Sequence, residues 1–236
     1  MKGNRLHLVV LSGAGMSAES GIRTFRDSDG LWEEYRVEDV ATPEAWKKNP
    51  ELVQSFYNER RKQIHAAQPN RGHRILAELE RDYDVTIVTQ NIDDLHERAG
   101  SAAVVHLHGQ IGEARCEFDE HMIIPIQGDV LTMHDRCPDG HALRPNIVWF
   151  GEEVPMLAEA QRIVERADVV LIIGTSLSVY PAAGLIWSAR VEADVVLIDP
   201  NPKLSIPASR TVKHICAGAS EGMEMMANWL KTKHAP

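Results

Sequence analysis

Five short apolar runs, at residues 6–11, 85–89, 104–107, 169–173 and 195–198, restrict this chain more than any other feature of its sequence. Each is too short for an independent helix, and several are rich in β-branched residues, as in Val169-Val170-Leu171-Ile172-Ile173. Such runs read as strands buried on both faces. Helical patterns lie among them, at 71–82, 155–166, 181–190 and 220–231. Strand alternating with helix predicts an α/β chain whose parallel sheet is covered on both sides. Ligands of such sheets bind beyond the carboxyl ends of the strands. Small and polar residues gather at all five ends, at 12–17, 90–94, 108–109, 174–178 and 199–201, which a purely structural sheet has no reason to do.

The first of these ends is the richest. Gly13 and Gly15 follow the strand, with the small residue Ala18 three positions further on. This is the spacing of a glycine turn where backbone approaches a pyrophosphate and a helix N-terminus faces the anion. A strand, a tight turn and a well-packed helix would leave the same letters. The continuation Gly21-Ile22-Arg23-Thr24-Phe25-Arg26-Asp27, then Asp29-Gly30-Leu31-Trp32, reads as loop. Two arginines and an aromatic there suit a flap folding over a bound nucleotide. A hydride-transferring fold would instead carry an acidic residue roughly 20 positions on, and that pattern is not followed.

Composition narrows the class. The chain has 236 residues, 44% hydrophobic and 25% charged, which suits one large domain or one with an inserted lobe. No apolar run approaches the roughly 20 residues of a membrane span, and the N-terminal run has no cleavage site of a signal peptide. A net charge of −9 disfavours nucleic acid as a partner. Three cysteines argue against a disulfide framework and for a reducing, cytoplasmic setting.

Two segments break the strand–helix rhythm. Residues 27–70 show no strand but hold a helix at about 51–65, and residues 111–146 read as irregular. Both are expected in a small lobe, 27–70 with 111–146, joined at a cleft to the large lobe formed by 1–26, 71–110 and 147–236. Cys116 and Cys137 lie in it, with Asp119 and Gly140 where the second member of each Cys-x-x-Cys pair would stand. Two readings are open: a zinc site completed by His121, His134, His141, Asp119 or Asp139, or two free buried cysteines in a lobe that no longer needs metal.

Within Thr89-Gln90-Asn91-Ile92-Asp93-Asp94, either acid could simply cap the next helix, but a carboxamide pair at a strand end can also hold a ribose and orient water. His108, the last residue before Gly109, is placed to reach the cleft, and its ordinary pKa suits a general base. Gly174-Thr175-Ser176 precedes Pro181, a natural first helical residue, so the hydroxyls there either cap a helix or contact an anion. On the helix at 51–65, Tyr57 and Arg60 are neighbours on one face. They are either solvated surface or a phenol and a guanidinium able to bind a carboxylate.

Taken together, Gly13-Ala14-Gly15-Met16-Ser17-Ala18-Glu19-Ser20-Gly21-Ile22-Arg23-Thr24-Phe25-Arg26, Thr89-Gln90-Asn91-Ile92-Asp93, Leu107-His108-Gly109, Leu143-Arg144-Pro145-Asn146-Ile147-Val148-Trp149-Phe150-Gly151-Glu152 and Gly174-Thr175-Ser176 resemble the signature of the sirtuins, NAD-dependent protein-lysine deacylases. Ala41-Thr42-Pro43 with Phe56-Tyr57-Asn58-Glu59-Arg60-Arg61 is similar to their bacterial class III branch. The resemblance implies a Rossmann-like sheet with a smaller inserted lobe, part helical and part a reduced zinc ribbon. It implies NAD as co-substrate, lying along 13–32 against Gly13, Ala14, Gly15, Ser17, Ala18, Thr24, Phe25, Arg26 and Trp32. The adenosine end would meet Gly174, Thr175, Ser176, Asn201 and Ala219, and the nicotinamide ribose Gln90, Asn91, Ile92 and Asp93, with His108 as base. An acyl-lysine peptide would add as a strand beside Val148, Trp149, Phe150 and Gly151. Tyr57 and Arg60 would read succinyl and malonyl groups, small Ala41 leaving room. The departure is at zinc, where the family has four cysteines and this chain offers Cys116 and Cys137. The expected activity is deacetylation and desuccinylation by a monomer acting on acylated proteins. The alternatives are ADP-ribosyl transfer to protein and a non-catalytic NAD sensor.

Overall fold

Runs that are apolar at most positions can be satisfied only in the interior of a sheet with both faces covered, and that requirement organises the molecule. The computed structural model describes residues 5–23, 31–32, 35–175, 177, 179–204 and 211–234, the side chains of Leu31 and Trp32 excepted. β1 (His7–Ser12) leads into two 3₁₀ turns, Ala14–Met16 and Ala18–Ser20, and then to a ribbon of β2 (Leu31–Trp32) and β3 (Tyr35–Arg36). Four helices follow: α1 (Val37–Val40), α2 (Pro43–Lys48), α3 (Pro50–Ala66) and α4 (Arg71–Leu79). Next come β4 (Asp84–Thr89), α5 (Leu95–Ala99), β5 (Val104–His106), β6 (Gly109–Cys116), β7 (Ile123–Pro125) and β8 (Leu143–Ile147). The remainder holds α6 (Leu157–Glu165), β9 (Val169–Ile173), a 3₁₀ stretch at Ala182–Ser188, β10 (Asp194–Ile198), β11 (Val212–Ile215) and α7 (Ala219–Lys233).

Helix starts follow local chemistry. Thr42, Asn49 and Asn70 each cap a helix by accepting a backbone N–H, from Ala45, Leu52 and His73 respectively. Pro43 and Pro50 take first helical positions, where no N–H is needed.

The main sheet is parallel, in the order β11-β10-β9-β1-β4-β5. From β1 the chain builds outward through β4 and β5, then crosses back to lay β9, β10 and β11 on the other side. The direction of winding therefore reverses between β1 and β9, which opens a crevice at their carboxyl ends. Leu8, Val10, Leu171, Ile173 and Ile198 pack one face of the sheet against α4 and α7. Val9, Leu11, Val170, Ile172 and Leu197 pack the other against α6 and the Ala182–Ser188 stretch. A third apolar cluster joins α1, α2 and α3 to Ile111, Ile147 and Trp149.

The structure departs from expectation in several places. The segment expected to lack strands contains β2 and β3, each only two residues long and therefore without a readable period. Residues expected to be irregular form an antiparallel sheet in the order β7-β6-β8. β11 reads Val-Lys-His-Ile because it lies at the edge of the sheet with one face less covered. Finally, 182–188 is a 3₁₀ stretch where an α-helix was expected.

Candidate active site

The glycine turn is built by interlocking two loops. The Gly13 N–H donates to the Ile173 carbonyl at 3.0 Å, and the Gly15 N–H donates to the Gly174 carbonyl at 2.8 Å. The backbones approach so closely that a Cβ on Gly13 would lie 2.7 Å from the Thr175 Cβ. One on Gly174, whose φ is +63°, would lie 2.1 Å from the Met16 nitrogen. Only glycine permits both. The helix expected after this turn is replaced by two 3₁₀ turns, closed by Gly21 at φ 85°.

Above this junction lies a cleft of about 540 Å³, within the range of small-molecule sites. Gly13, Ala14, Gly15, Ser17, Ala18, Gly174, Thr175 and Ala219 line it, with Gln90, Asn91, Ile92, Asp93 and His108. Ala41, Tyr57, Arg60, Val148, Trp149, Phe150 and Gly151 line it too. Thr24, Phe25, Arg26 and Ser176 lie outside the described residues, as does the Trp32 side chain. Asn201 is exposed and is not part of the lining; its N–H donates to Asp199 Oδ1 at 2.9 Å. The glycine cradle at the switch point, where side chains are excluded so that a ligand can touch backbone, fits a dinucleotide.

The floor of the cleft is hydrogen-bonded throughout. Asn91 donates its amide Nδ2–H to Ser17 Oγ at 3.2 Å, and Ser17 donates to Asp93 Oδ2 at 2.9 Å. The other Asp93 oxygen accepts the Leu95 N–H at 3.2 Å. Asp93 thus starts α5 and orients the Asn91 carboxamide at the same time. Burial raises its pKa, opposed by the Ser17 hydrogen bond. Gln90 donates its side-chain amide to Thr175 Oγ1 at 3.1 Å, tying the ends of β4 and β9 together.

His106 and His108 have different surroundings. His108 Nδ1 is 3.0 Å from the Gln90 carbonyl. A carbonyl only accepts, so Nδ1 carries the hydrogen. Burial lowers the His108 pKa, opposed by that carbonyl. The ring is therefore neutral near pH 7, with a lone pair on Nε2. His106, only 9% exposed, lies with Nδ1 3.0 Å from the Asn91 carbonyl and Nε2 2.7 Å from Glu97 Oε1. Burial alone would lower its pKa, but the hydrogen bond and charge of Glu97 outweigh it and the net shift is upward.

On the opposite wall the Trp149 Nε1–H donates to the Tyr57 hydroxyl at 3.0 Å. The Arg144 guanidinium stacks 3.7 Å above the Trp149 ring and pairs with Glu152 at 2.8 Å. Arg60 is 3% exposed, so the solvated-surface reading of the Tyr57 and Arg60 pair does not hold. The wall expected to take the added peptide strand is partly engaged within the chain. The N–H groups of Val148, Trp149 and Phe150 already donate to the His108 carbonyl, Glu152 Oε2 and the Ala41 carbonyl. A strand added beside 148–151 finds those three donors occupied within the chain.

Several lining residues had no assigned role in the sequence. Glu19, for example, accepts both the N–H and the hydroxyl of Ser220 at the start of α7. No local period links residues that far apart.

Cys116 and Cys137 are buried in a separate apolar cluster with Ala114, Leu131 and Leu143. Their sulfurs are 3.3 Å apart, closer than the about 3.8 Å that two thiolates keep on a tetrahedral zinc with 2.3 Å bonds. Among the described residues no group of three or more His, Cys, Asp or Glu side chains is placed to hold a metal. The residues present do not fit zinc. A Phe118–His141 stack at 4.5 Å and the β6–β8 pairing hold this part together instead.

Residues 13–181 match the Sir2 family. An NAD-dependent protein deacylase of Bacteroides thetaiotaomicron is 52% identical over 229 residues, covering 95% of this chain and 97% of that protein. One from Helicobacter pylori is 53% identical over 197 residues, covering 84% and 86%. Among solved structures, a Sir2 homolog–NAD complex superposes with a TM-score of 0.84 at 39% identity, covering 97% of this chain and 91% of that one. A Sir2–p53 peptide–NAD+ complex gives 0.77 at 31%, covering 98% and 95%.

Proposed function

The chain belongs to the Sir2 family, and from that premise we propose how its own residues carry out NAD-dependent deacylation of protein lysines. When bound, NAD supplies an electrophilic ribose carbon for the acyl oxygen to attack, with nicotinamide as leaving group and ADP-ribose as acyl acceptor. The glycine cradle of Gly13, Gly15 and Gly174 holds the pyrophosphate, and Ala219 lies at the adenosine end. Asn91, fixed by Ser17 and Asp93, orients the nicotinamide ribose. His108 accepts a proton from a ribose hydroxyl at Nε2. Trp149 and Phe150 line the channel for the lysine and exclude water from the reacting centre. Confining both reactants in one cleft contributes proximity.

The observation that carries this reading is the His108 ring. It lines the cleft beside the glycine junction, held by Gln90 in the tautomer a base requires. Mass spectrometry of acetylated, malonylated and succinylated lysine peptides, incubated with and without NAD, tests it. NAD-dependent loss of the acyl group with release of nicotinamide is expected. Labelled NAD remaining on protein instead would point to ADP-ribosyl transfer.

We further propose that Tyr57 and Arg60 select acidic acyl chains, since both line the cleft beside Ala41 and a guanidinium binds carboxylate bidentately. The partners are acylated proteins, and the cytoplasm is the proposed setting. It is supported by the free thiols of Cys116, Cys137 and Cys216, and among the described residues no helix is long and apolar enough to cross a membrane. A monomer is the proposed working form. The large lobe, in this proposal, binds NAD, and the small one closes over the acyl group.

A further inference from the structure

At the end of β4 the chain leaves the sheet over residues 90–92, yet each carbonyl from 89 to 92 accepts a hydrogen bond from the stretch 106–111. The Thr89 carbonyl takes the Leu107 N–H at 2.9 Å and the Ile92 carbonyl takes the Ile111 N–H at 2.8 Å. Between them the main chains have diverged, and imidazole rings supply the two middle donors. His108 Nδ1 reaches the Gln90 carbonyl and His106 Nδ1 reaches the Asn91 carbonyl, both at 3.0 Å. A buried backbone carbonyl such as that of Asn91 requires a partner. The ring of His106 is held from its far side by Glu97 at 2.7 Å. Its other ionisable neighbours are Asp93 and His96.

We propose that His106, anchored by Glu97, is a positioning residue for the reaction: it fixes the main chain at 90–91, on which both the Asn91 carboxamide and the His108 ring are set. This rests on the roles given to Asn91 and His108 above. The ring does not line the cleft and touches no substrate. It acts by pinning the rung between the two residues that do. Its pairing in register with Thr89 across the last rung of the β4–β5 ladder makes the placement rigid.

Two substitutions separate the ring's two contacts. Asn places its amide nitrogen where Nδ1 of histidine stands, and Gln places its own where Nε2 stands. His106→Asn should therefore keep the donor to the Asn91 carbonyl, and His106→Gln should keep only the contact with Glu97. For the acetyl-peptide reaction, kcat of His106→Gln should fall about 10–100-fold, the cost of misplacing reacting groups by a fraction of an ångström to one ångström. KM for NAD should barely move, and His106→Asn should stay within about threefold of wild type. Equal losses in the two variants, or wild-type kcat in His106→Gln, would overturn the proposal, because a merely structural ring would affect both alike. Should His106→Gln not fold, His106→Leu carries the test: it fills the same space with no donor to the Asn91 carbonyl, and an unchanged kcat refutes the positioning role. His108→Ala serves as the reference. Full activity there would instead remove the underlying reading of the site.

Discussion

The indole N–H of Trp149 and the hydroxyl of Tyr57 meet at 3.0 Å in a buried contact that joins the substrate wall to α3. Tyr57→Phe keeps the ring and removes this acceptor. A buried donor that loses its partner costs about 1–3 kcal/mol, so the melting temperature should drop, as calorimetry would show. One turn further along, Arg60→Met should lower kcat/KM for a succinyl peptide by about 2–4 kcal/mol, the scale for losing a buried charge partner. Acetyl turnover should change little. Equal losses on both substrates would refute selection of acidic chains by Arg60.

Gly174 tests the interlock of the two loops. Gly174→Ala forces a side chain onto a left-handed backbone and against the Met16 nitrogen. The backbone strain alone is about 1–3 kcal/mol, and KM for NAD should rise about tenfold, the equivalent of 1.4 kcal/mol in binding. Gly112→Ala, where a Cβ meets open space, is the control and should leave both quantities near wild type. An unaltered KM in Gly174→Ala would detach the cradle from cofactor binding.

Acid should weaken the fold through His73. Its ring is fully buried 4.8 Å from His96, its nitrogens make no hydrogen bond among the described residues, and burial lowers its pKa to about 4. Between about pH 6.5 and pH 4 the unfolded chain binds a proton here that the folded one does not, so stability falls as pH falls through that window. The contribution is about 3 kcal/mol. His73→Phe should flatten this part of the curve of stability against pH, measured by urea unfolding at each pH. His106 has the opposite sign: its raised pKa contributes stability at low pH, lost as pH rises through the folded value.

Metal analysis of the purified protein should find no stoichiometric zinc, and a chelator should leave the melting temperature unchanged. Cys116→Ser should fold, since the Cys137 sulfur, 3.3 Å from that of Cys116, remains as a partner for the hydroxyl. Stoichiometric zinc lost together with the fold on chelation would contradict the geometry.

The central strands β1, β4, β9 and β10 were legible because residues buried on both faces are apolar at most positions, a local signature. β11 carries Lys213 and His214 on an edge and has no such signature. The ribbon of β2 and β3 exists only through the pairing of Leu31 with Arg36 and Trp32 with Tyr35. In the site, the glycine pair and the run from Gln90 to Asp93 were readable as motifs. Glu97 was not, because its link to His106 arises only when α5 is laid against the end of β5. The tetrahedral zinc reading stayed open in the sequence because spacing alone does not tell whether a third ligand comes near.

The sequence by itself determined the sheet, the polar strand ends and the residue types gathered there, because burial and turn chemistry act on neighbours along the chain. Only the tertiary structure decided which histidine faces the cleft as a neutral ring and which is locked to a carboxylate. Both rings are desolvated and each meets a carbonyl of 90–91; the difference comes from the Glu97 carboxylate that holds His106, a partner that no local pattern assigns.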